Sequence, residues 1–338
     1  MVVELSGMVY QLMKTVVTGA SGHIGGNLVR TLLSQGRAVR VLIHRDQRAI
    51  DGLDVEIVKG DVRDLASLYR AFSGMEVVYH LAAYISILAS EWPRLELINV
   101  YGTQNVIKAC LHCGVQRLIY FSSIHAFTQK PLDVPIDESR SLAESETDPP
   151  YDRSKAAAEK EVYRGIEQGL ETVIIIPTGV IGPYDYRPSH FGQVLLNIAS
   201  SKMPALVDGG FNWVDVRDVI KGALRAEEKL TSGDRYILSG HWCSIEKLAD
   251  IIGEIVGVPP PPFVCPMWLA QAGVPFVSTL AYLTKKRQLY TKASLHALCG
   301  NRSISCQKAR CELDYHPRPL QETLIDTMQW FQDTGFIL

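Results

Sequence analysis

The sequence predicts an α/β fold, a doubly wound parallel sheet followed by a small, mostly helical carboxyl-terminal lobe. Three observations carry this. The first half alternates short β-branched runs with stretches of helical periodicity, the pattern of parallel strands joined by crossover helices. A glycine-rich turn follows the first of these runs directly and opens a helix. At 338 residues and 47% hydrophobic content, the chain can bury a full core without covalent staples.

Residues 1–13 read as a short leader: they lack a basic start, a long apolar run and a small-residue cleavage site, so no secretory signal is expected. Strands are expected at Lys14 to Thr18, Ala38 to His44, Val55 to Lys59, Val77 to Leu81, Arg117 to Ser122 and Thr172 to Pro177. The turn Thr18-Gly19-Ala20-Ser21-Gly22-His23-Ile24-Gly25 precedes a helix whose apolar face carries Leu28, Leu32 and Leu33 and which stops at Gly36. Glycines there let the backbone turn tightly and approach a pyrophosphate, while free N–H groups at the helix start stabilise its charge. The sheet is therefore read as a Rossmann-like dinucleotide site, with Gly19, Ser21, Gly22, His23, Ile24 and Gly25 holding the phosphates.

The second strand ends in His44-Arg45-Asp46. An NAD site usually places a carboxylate at this tip for the ribose hydroxyls. Here His44 and Arg45 occupy it, and Arg45 can make charge-assisted hydrogen bonds to a 2′-phosphate, so NADP is expected in preference to NAD. The alternative has Arg45 in solvent and Asp46 on the ribose. After the third strand, Gly60-Asp61-Val62 puts a carboxylate where it can accept from an adenine amino group, or cap the helix that begins near Leu65. Leu81, Ala82 and Ala83 end the fourth strand with small residues where a cofactor would cross the sheet edge. His80 beside them reads as a core histidine.

Between Ala126 and Pro150 lies an acidic, proline-containing loop long enough to be functional. Beyond it stands Tyr151-Asp152-Arg153-Ser154-Lys155, with Asp148 expected as N-cap and Pro149 and Pro150 in the first turn. A Tyr and a Lys four residues apart share one helix face. The same spacing occurs at Tyr10/Lys14 and Tyr282/Lys286, so context must choose. A phenol working near neutral pH must drop by roughly 3 units from its ordinary value of about 10. Lys155, the helix amino terminus and an oxidised nicotinamide are the available positive charges. Tyr151 is then the acid/base, Lys155 reaches the nicotinamide ribose, and Ser123, at the end of the fifth strand, binds the same substrate oxygen.

Past Gly182 the alternation weakens, and a return strand and helix are expected at Trp213 to Glu227. The division that follows is a nucleotide domain over 14–182, completed by about 208–238, and a substrate lobe from 183–207 and 239–338. From Ile255 to Thr284 no side chain is charged. Pro266 and Pro275 argue against a membrane span, so two short buried helices, lidding an apolar pocket, are expected. Seven scattered cysteines suit a reducing, cytoplasmic location. Cys110 and Cys113 fall in a helical apolar run and read as helix core, so no metal is expected. A net charge of −2 gives no field for nucleic acid, which points to a small-molecule substrate.

These residues together resemble the extended short-chain dehydrogenase/reductase family, of NAD-dependent epimerase/dehydratase type, over nearly the whole chain. The motifs TGASGHIGG (18–26), GDVRD (60–64), YHLAA (79–83), INVYGTQN (98–105), FSS (121–123), YDRSK (151–155), IPTGVIGP (176–183) and WVDVRDV (213–219) stand in the family's order. The resemblance implies Ser123, Tyr151 and Lys155 as catalytic residues, Asn99 as a supporting one, Pro177 and Thr178 near the nicotinamide, and a possible homodimer. Nucleotide-sugar epimerases and dehydratases, with tightly bound NAD, commonly carry an Arg-Asp-Phe before the return strand. Here Gly210-Phe211-Asn212-Trp213 lacks that arginine, leaving Arg187, Lys202 or Arg287 to compensate. The chain looks more like the dihydroflavonol 4-reductase-like ketone reductases and hopanoid-associated epimerase-like proteins. The expectation is an NADP-preferring oxidoreductase reducing a ketone or aldehyde of a small, largely apolar substrate. The alternatives are a sugar-nucleotide epimerase and a non-catalytic NADP sensor.

Overall fold

The computed structural model describes residues 2–5, 8–11, 13–203, 205–229, 231–274 and 291–337. Strands β1 (Val2–Leu5) and β2 (Met8–Gln11) form an antiparallel pair in the segment read as a leader. The six expected strands follow within one or two residues of their predicted ends: β3 (Thr15–Thr18), β4 (Val39–Ile43), β5 (Glu56–Lys59), β6 (Val77–His80), β7 (Arg117–Phe121) and β8 (Glu171–Pro177). Beyond them come β9 (Gly179–Ile181), β10 (Leu206–Val207), β11 (Gly210–Asp215), β12 (Arg235–Leu238), β13 (His241–Ser244) and β14 (Val264–Cys265).

The main sheet is parallel, in the order β12-β8-β7-β6-β3-β4-β5. Connections run outward from β3 to β5, then return to β6 on its other side. That reversal opens a crevice at the carboxyl ends of β3 and β6, where ligands of such sheets bind.

Alternate residues of each buried strand feed opposite layers. Val17, Val41, Tyr79 and Ile119 pack under the helices His23–Ser34 and Val216–Lys229. Their neighbours Val16, Leu42, Val78 and Leu118 pack under Leu65–Phe72, Tyr101–Cys113 and Pro150–Glu167. Cys110 lies in this second layer, as helix core, and Cys113 packs against it. In the first layer, Glu227 is 1% exposed and binds Arg37 through both oxygens, at 2.9 and 2.8 Å, while Tyr79 Oη donates to it at 2.6 Å.

The return strand needs correction. The segment expected at Trp213 does form β11 and a helix, but β11 pairs with β9 and β13 in a separate three-stranded sheet. The strand that rejoins the main sheet is β12, Arg235–Leu238, which lies past the segment where the alternation of strand and helix weakens. Helices His190–Ala199, Ile245–Val256 and Leu320–Asp333 cover Trp213 on this smaller sheet.

The uncharged segment is also corrected where it is described. β14 pairs with β10, and a helix occupies 267–274, but Phe263, Trp268 and Leu269 are exposed, so the described helix is not a buried one, and the second expected helix falls on residues outside those described. Pro275, Thr284, Tyr282, Lys286 and Arg287 lie outside the described residues. Among the described residues no helix is long and apolar enough to cross a membrane.

Candidate functional site

The glycine turn sits over the crevice. Gly19 has φ +78°, and a Cβ there would lie 2.6 Å from the Ala82 nitrogen and 2.7 Å from the Leu81 carbonyl carbon. Thr18 closes the junction, its carbonyl accepting from Leu81 N at 3.1 Å. Gly22 is the N-cap of His23–Ser34, with no side-chain cap and no acidic residue in the first turn. The free N–H groups of that turn, approached over glycine backbone, are the environment a pyrophosphate requires. A dinucleotide therefore fits this cradle. The side chain of His23 does not face it: Nε2 bonds the Pro183 carbonyl at 3.0 Å, and Asn27 Nδ2 donates to the same oxygen at 3.0 Å. His23 thus offers only backbone, and its ring ties the turn to the segment after β9.

Gly19→Ala is expected to lower the urea unfolding free energy by about 1–3 kcal/mol, since it adds positive-φ strain to a backbone collision. An unchanged midpoint and unchanged NADPH affinity would mean that the loop is not clamped against Leu81 and Ala82.

At the tip of β4, Arg48 grips Asp46 through both oxygens, at 3.0 and 2.6 Å, and holds its carboxyl below the usual range; Arg187 adds to this. Arg63 grips Asp61 in the same way, at 3.0 and 2.7 Å, and His44 Nε2 approaches it at 3.4 Å. Exposed Arg45 has no partner among the described residues. Asp61 is not the helix cap: Asp64 accepts from Ala66 N at 3.1 Å, because the helix starts one turn later than Asp61 could serve. Val62 is buried against Gly102, with its carbonyl taken by Asn105 at 3.1 Å. His80 is a buried spacer between Thr18 and Thr103, at 2.7 and 3.1 Å, pushed down to about 3 by burial and by Lys155.

Opposite the glycine turn, the helix Pro150–Glu167 brings Tyr151 and Lys155 to the end of β7. Its N-cap is Pro149 without a side-chain bond; Asp148, expected there, instead accepts from Ser145 N at 2.9 Å, closing the preceding turn. Ser123 caps the short turn Ile124–Ala126, accepting from His125 N at 3.2 Å. Lys155 is 4% exposed, and Nζ donates to the Phe121 carbonyl at 2.8 Å and to Tyr120 Oη at 3.2 Å. Burial brings its pKa down to about 8, against the pull of Glu159.

In the chain alone the Tyr151 phenol moves away from the lowering that its proposed role needs. Burial pushes the phenol up to about 12; a hydrogen bond with Ser123 opposes this and the Asp152 carboxylate adds to it.

Asn99 lies in a π-helical turn, Glu96–Val100. It accepts from Tyr84 N at 2.7 Å and donates to Ser154 Oγ at 2.9 Å, holding the 84–91 loop to the Tyr151 helix. Thr178 Oγ1 donates to Asn212 Oδ1 at 2.9 Å, and Gly240 N donates to it at 2.8 Å. Asn212, in the Gly210–Trp213 stretch that lacks the sugar-nucleotide arginine, is thus a structural tie, while Arg187 acts on Asp46 and Lys202 is exposed.

Two groups went unnoticed in the sequence. His125 and Asp152 pair at 3.3 Å beside Tyr151. Ser122, Glu159 and Arg235 form a buried chain behind Lys155, at 2.6 and 3.0 Å. The signals were adjacency: Asp152 follows Tyr151, and Glu159 is one helical turn past Lys155.

A family model, NAD dependent epimerase/dehydratase, matches residues 15–238, from β3 to the end of β12. The chain belongs to this family. It is an NAD(P)-dependent enzyme of the extended short-chain dehydrogenase/reductase type. Sterol demethylase protein B of Methylococcus capsulatus is 34% identical over 96% of the chain and 100% of its own length. A protein named putative dihydroflavonol 4-reductase of Synechocystis is 32% identical, over 95% of each. The crystal structure of gox2253 superposes with a TM-score of 0.84 at 34% identity, covering 96% of the chain and 99% of its own.

Proposed function

We propose that this enzyme interconverts a secondary alcohol and a ketone on a largely apolar substrate, with Tyr151 as the acid/base and NADP as the favoured hydride carrier. The observation that carries the reading is the arrangement at the crevice: Ser123 stands beside the Tyr151 phenol at the carboxyl end of β7, in the same sheet edge as the glycine cradle suited to a pyrophosphate at the end of β3. When bound, the cofactor supplies the hydride acceptor or donor. Ser123 orients the substrate oxygen, Tyr151 moves its proton, and Lys155, released from the Phe121 carbonyl, is the cation that can stabilise the phenolate. Asn99 is a positioning residue, fixing Ser154 in the turn that carries Tyr151.

An apolar substrate is favoured because Asn212 is spent on Thr178 and Gly240, where a sugar-nucleotide enzyme would need a cation for the diphosphate. The relatives above are named for a sterol and a dihydroflavonol, both ring compounds.

NADP is favoured because Asp46 is neutralised by Arg48 while Arg45 is unpaired among the described residues. Titration followed by cofactor fluorescence is expected to give NADPH an affinity at least about tenfold above NADH, a difference that Arg45→Ala removes. Tighter NADH binding, or a cofactor that co-purifies and does not exchange, would instead favour internal oxidation and re-reduction by an epimerase.

A further inference from the structure

Asp152 and His125 lie beside the reacting groups and take no part in the reading above. Asp152 is 5% exposed, and the cationic partner the structure gives it is His125, with Nδ1 3.3 Å from Oδ1. A carboxylate this deep requires a compensating group. His125 rides on the turn that Ser123 caps, and its ring meets Tyr151 edge-on, with centroids 6.0 Å apart at 65°. Its side chain keeps 27% exposure, and Nε2 makes no hydrogen bond with the described residues. The imidazole therefore touches a buried carboxylate on one nitrogen, borders the Tyr151 ring on its edge, and opens toward solvent. Nδ1 is buried 3.3 Å from that carboxylate without closing a hydrogen bond to it, so the negative charge favours a proton on Nδ1 and leaves Nε2 able to take and return one.

The other charged groups nearby are already engaged. Lys155 is held by the Phe121 carbonyl and Tyr120, and Glu159 by Ser122 and Arg235. Burial works against a charge on His125, but the Asp152 carboxylate more than offsets it and raises its proton affinity above that of a free histidine.

We infer that His125 is the proton-exchange residue of this site, passing protons between Tyr151 and solvent, with Asp152 as the positioning residue that holds its ring. This rests on the acid/base reading of Tyr151. In alcohol oxidation the carbinol C–H bond breaks and its electron pair leaves as hydride to the oxidised nicotinamide. The O–H bond breaks and its proton goes to the Tyr151 oxygen. That proton then moves, directly or through one water, to His125 Nε2 and out to solvent. Reduction runs the same path inward, so the exchange balances as one proton released per hydride transferred.

The first test needs no substrate. In the full chain carrying ¹⁵N-histidine and ¹³Cζ-tyrosine, with resonances assigned through His125→Gln and Tyr151→Phe, His125 should hold its neutral proton on Nδ1 and titrate above about 6.5. Asp152→Asn should lower that midpoint by about one unit. The Tyr151 Cζ resonance should step as His125 ionises. A neutral Nε2–H tautomer, an Asp152→Asn midpoint equal to wild type, or a Tyr151 resonance indifferent to His125 would overturn the inference.

The second test uses 3β-hydroxysteroids and cyclohexanol as probe alcohols. His125→Ala should lower kcat for oxidation by about tenfold to hundredfold, with NADP affinity unchanged, and added imidazole should restore much of the loss. Unchanged turnover, or a loss that imidazole does not rescue, sinks the proton-exchange role. Retained turnover in Tyr151→Phe sinks the acid/base reading itself, and the nuclear resonance titration tells that failure apart from one at His125.

Discussion

Tyr151→Phe is expected to lower kcat for hydride transfer by about 10²–10⁴-fold, the usual contribution of a positioned acid or base, while NADPH affinity changes little. The direction of the pH dependence follows from the same group. With its pKa pushed up to about 12, the phenol holds its proton at neutral pH, whereas alcohol oxidation needs the phenolate. Oxidation should therefore accelerate with rising pH, tenfold per unit while the phenol remains mostly protonated, and the slope should vanish in Tyr151→Phe. Carbonyl reduction uses the protonated phenol and should be flat over the same range. Steady-state rates in both directions between pH 6 and 10 check this. An oxidation rate that falls as pH rises would remove Tyr151 from the role of base.

Lys155 bears on the same profile. Its pKa of about 8 means that its charge is lost within the working range, just where Tyr151 needs a cation. If Lys155 leaves the Phe121 carbonyl for the cofactor ribose, its charge is better solvated and its pKa should rise, bringing that of Tyr151 down. The phenol is thus poorly ionised in the chain alone, and its use depends on what else occupies the crevice.

The parts of the site legible in the sequence are those with a local cause. Gly19 announces itself because only glycine tolerates φ +78° with backbone 2.6 Å from its missing Cβ. Tyr151 and Lys155 are singled out by a helix start at Pro149-Pro150, since their spacing alone recurs elsewhere, and six strands by their β-branched runs. The parts that were hidden depend on contacts distant in sequence. His23 points to Pro183, 160 residues away, and nothing near His23 signals that. Lys155 meets Phe121 across 34 residues, so the competition between the β7 carbonyl and the phenol was invisible. Asp61 and Asp64 are equally good cap types three residues apart, and only the helix start decides between them. β12 is hidden because its partner β8 lies about 60 residues earlier in the chain and no regular alternation leads to it, and Trp268 because an apolar run predicts burial but says nothing about which side of a short helix faces out.

Removal of Glu227 should give the largest stability loss, although the residue is far from the crevice in function. Its carboxylate lies in the sheet layer under His23–Ser34 and Val216–Lys229, with both oxygens on Arg37 and one also accepting from Tyr79. Arg117 donates to the Glu227 carbonyl at 2.7 Å, so three elements converge there. Glu227→Ala leaves a guanidinium with little access to water and a phenol fully buried, both without their acceptor. Breaking a buried pair from one side costs about 3–5 kcal/mol, since the remaining charge stays uncompensated. The loss should appear as a lower urea midpoint at unchanged slope. The comparison that identifies the cause is the double variant Arg37→Met/Glu227→Met, in which neither charge is stranded. It should recover most of the stability, because two apolar side chains can replace a buried pair at little net cost. If the double variant is as unstable as Glu227→Ala, packing volume and not the stranded charge accounts for the loss.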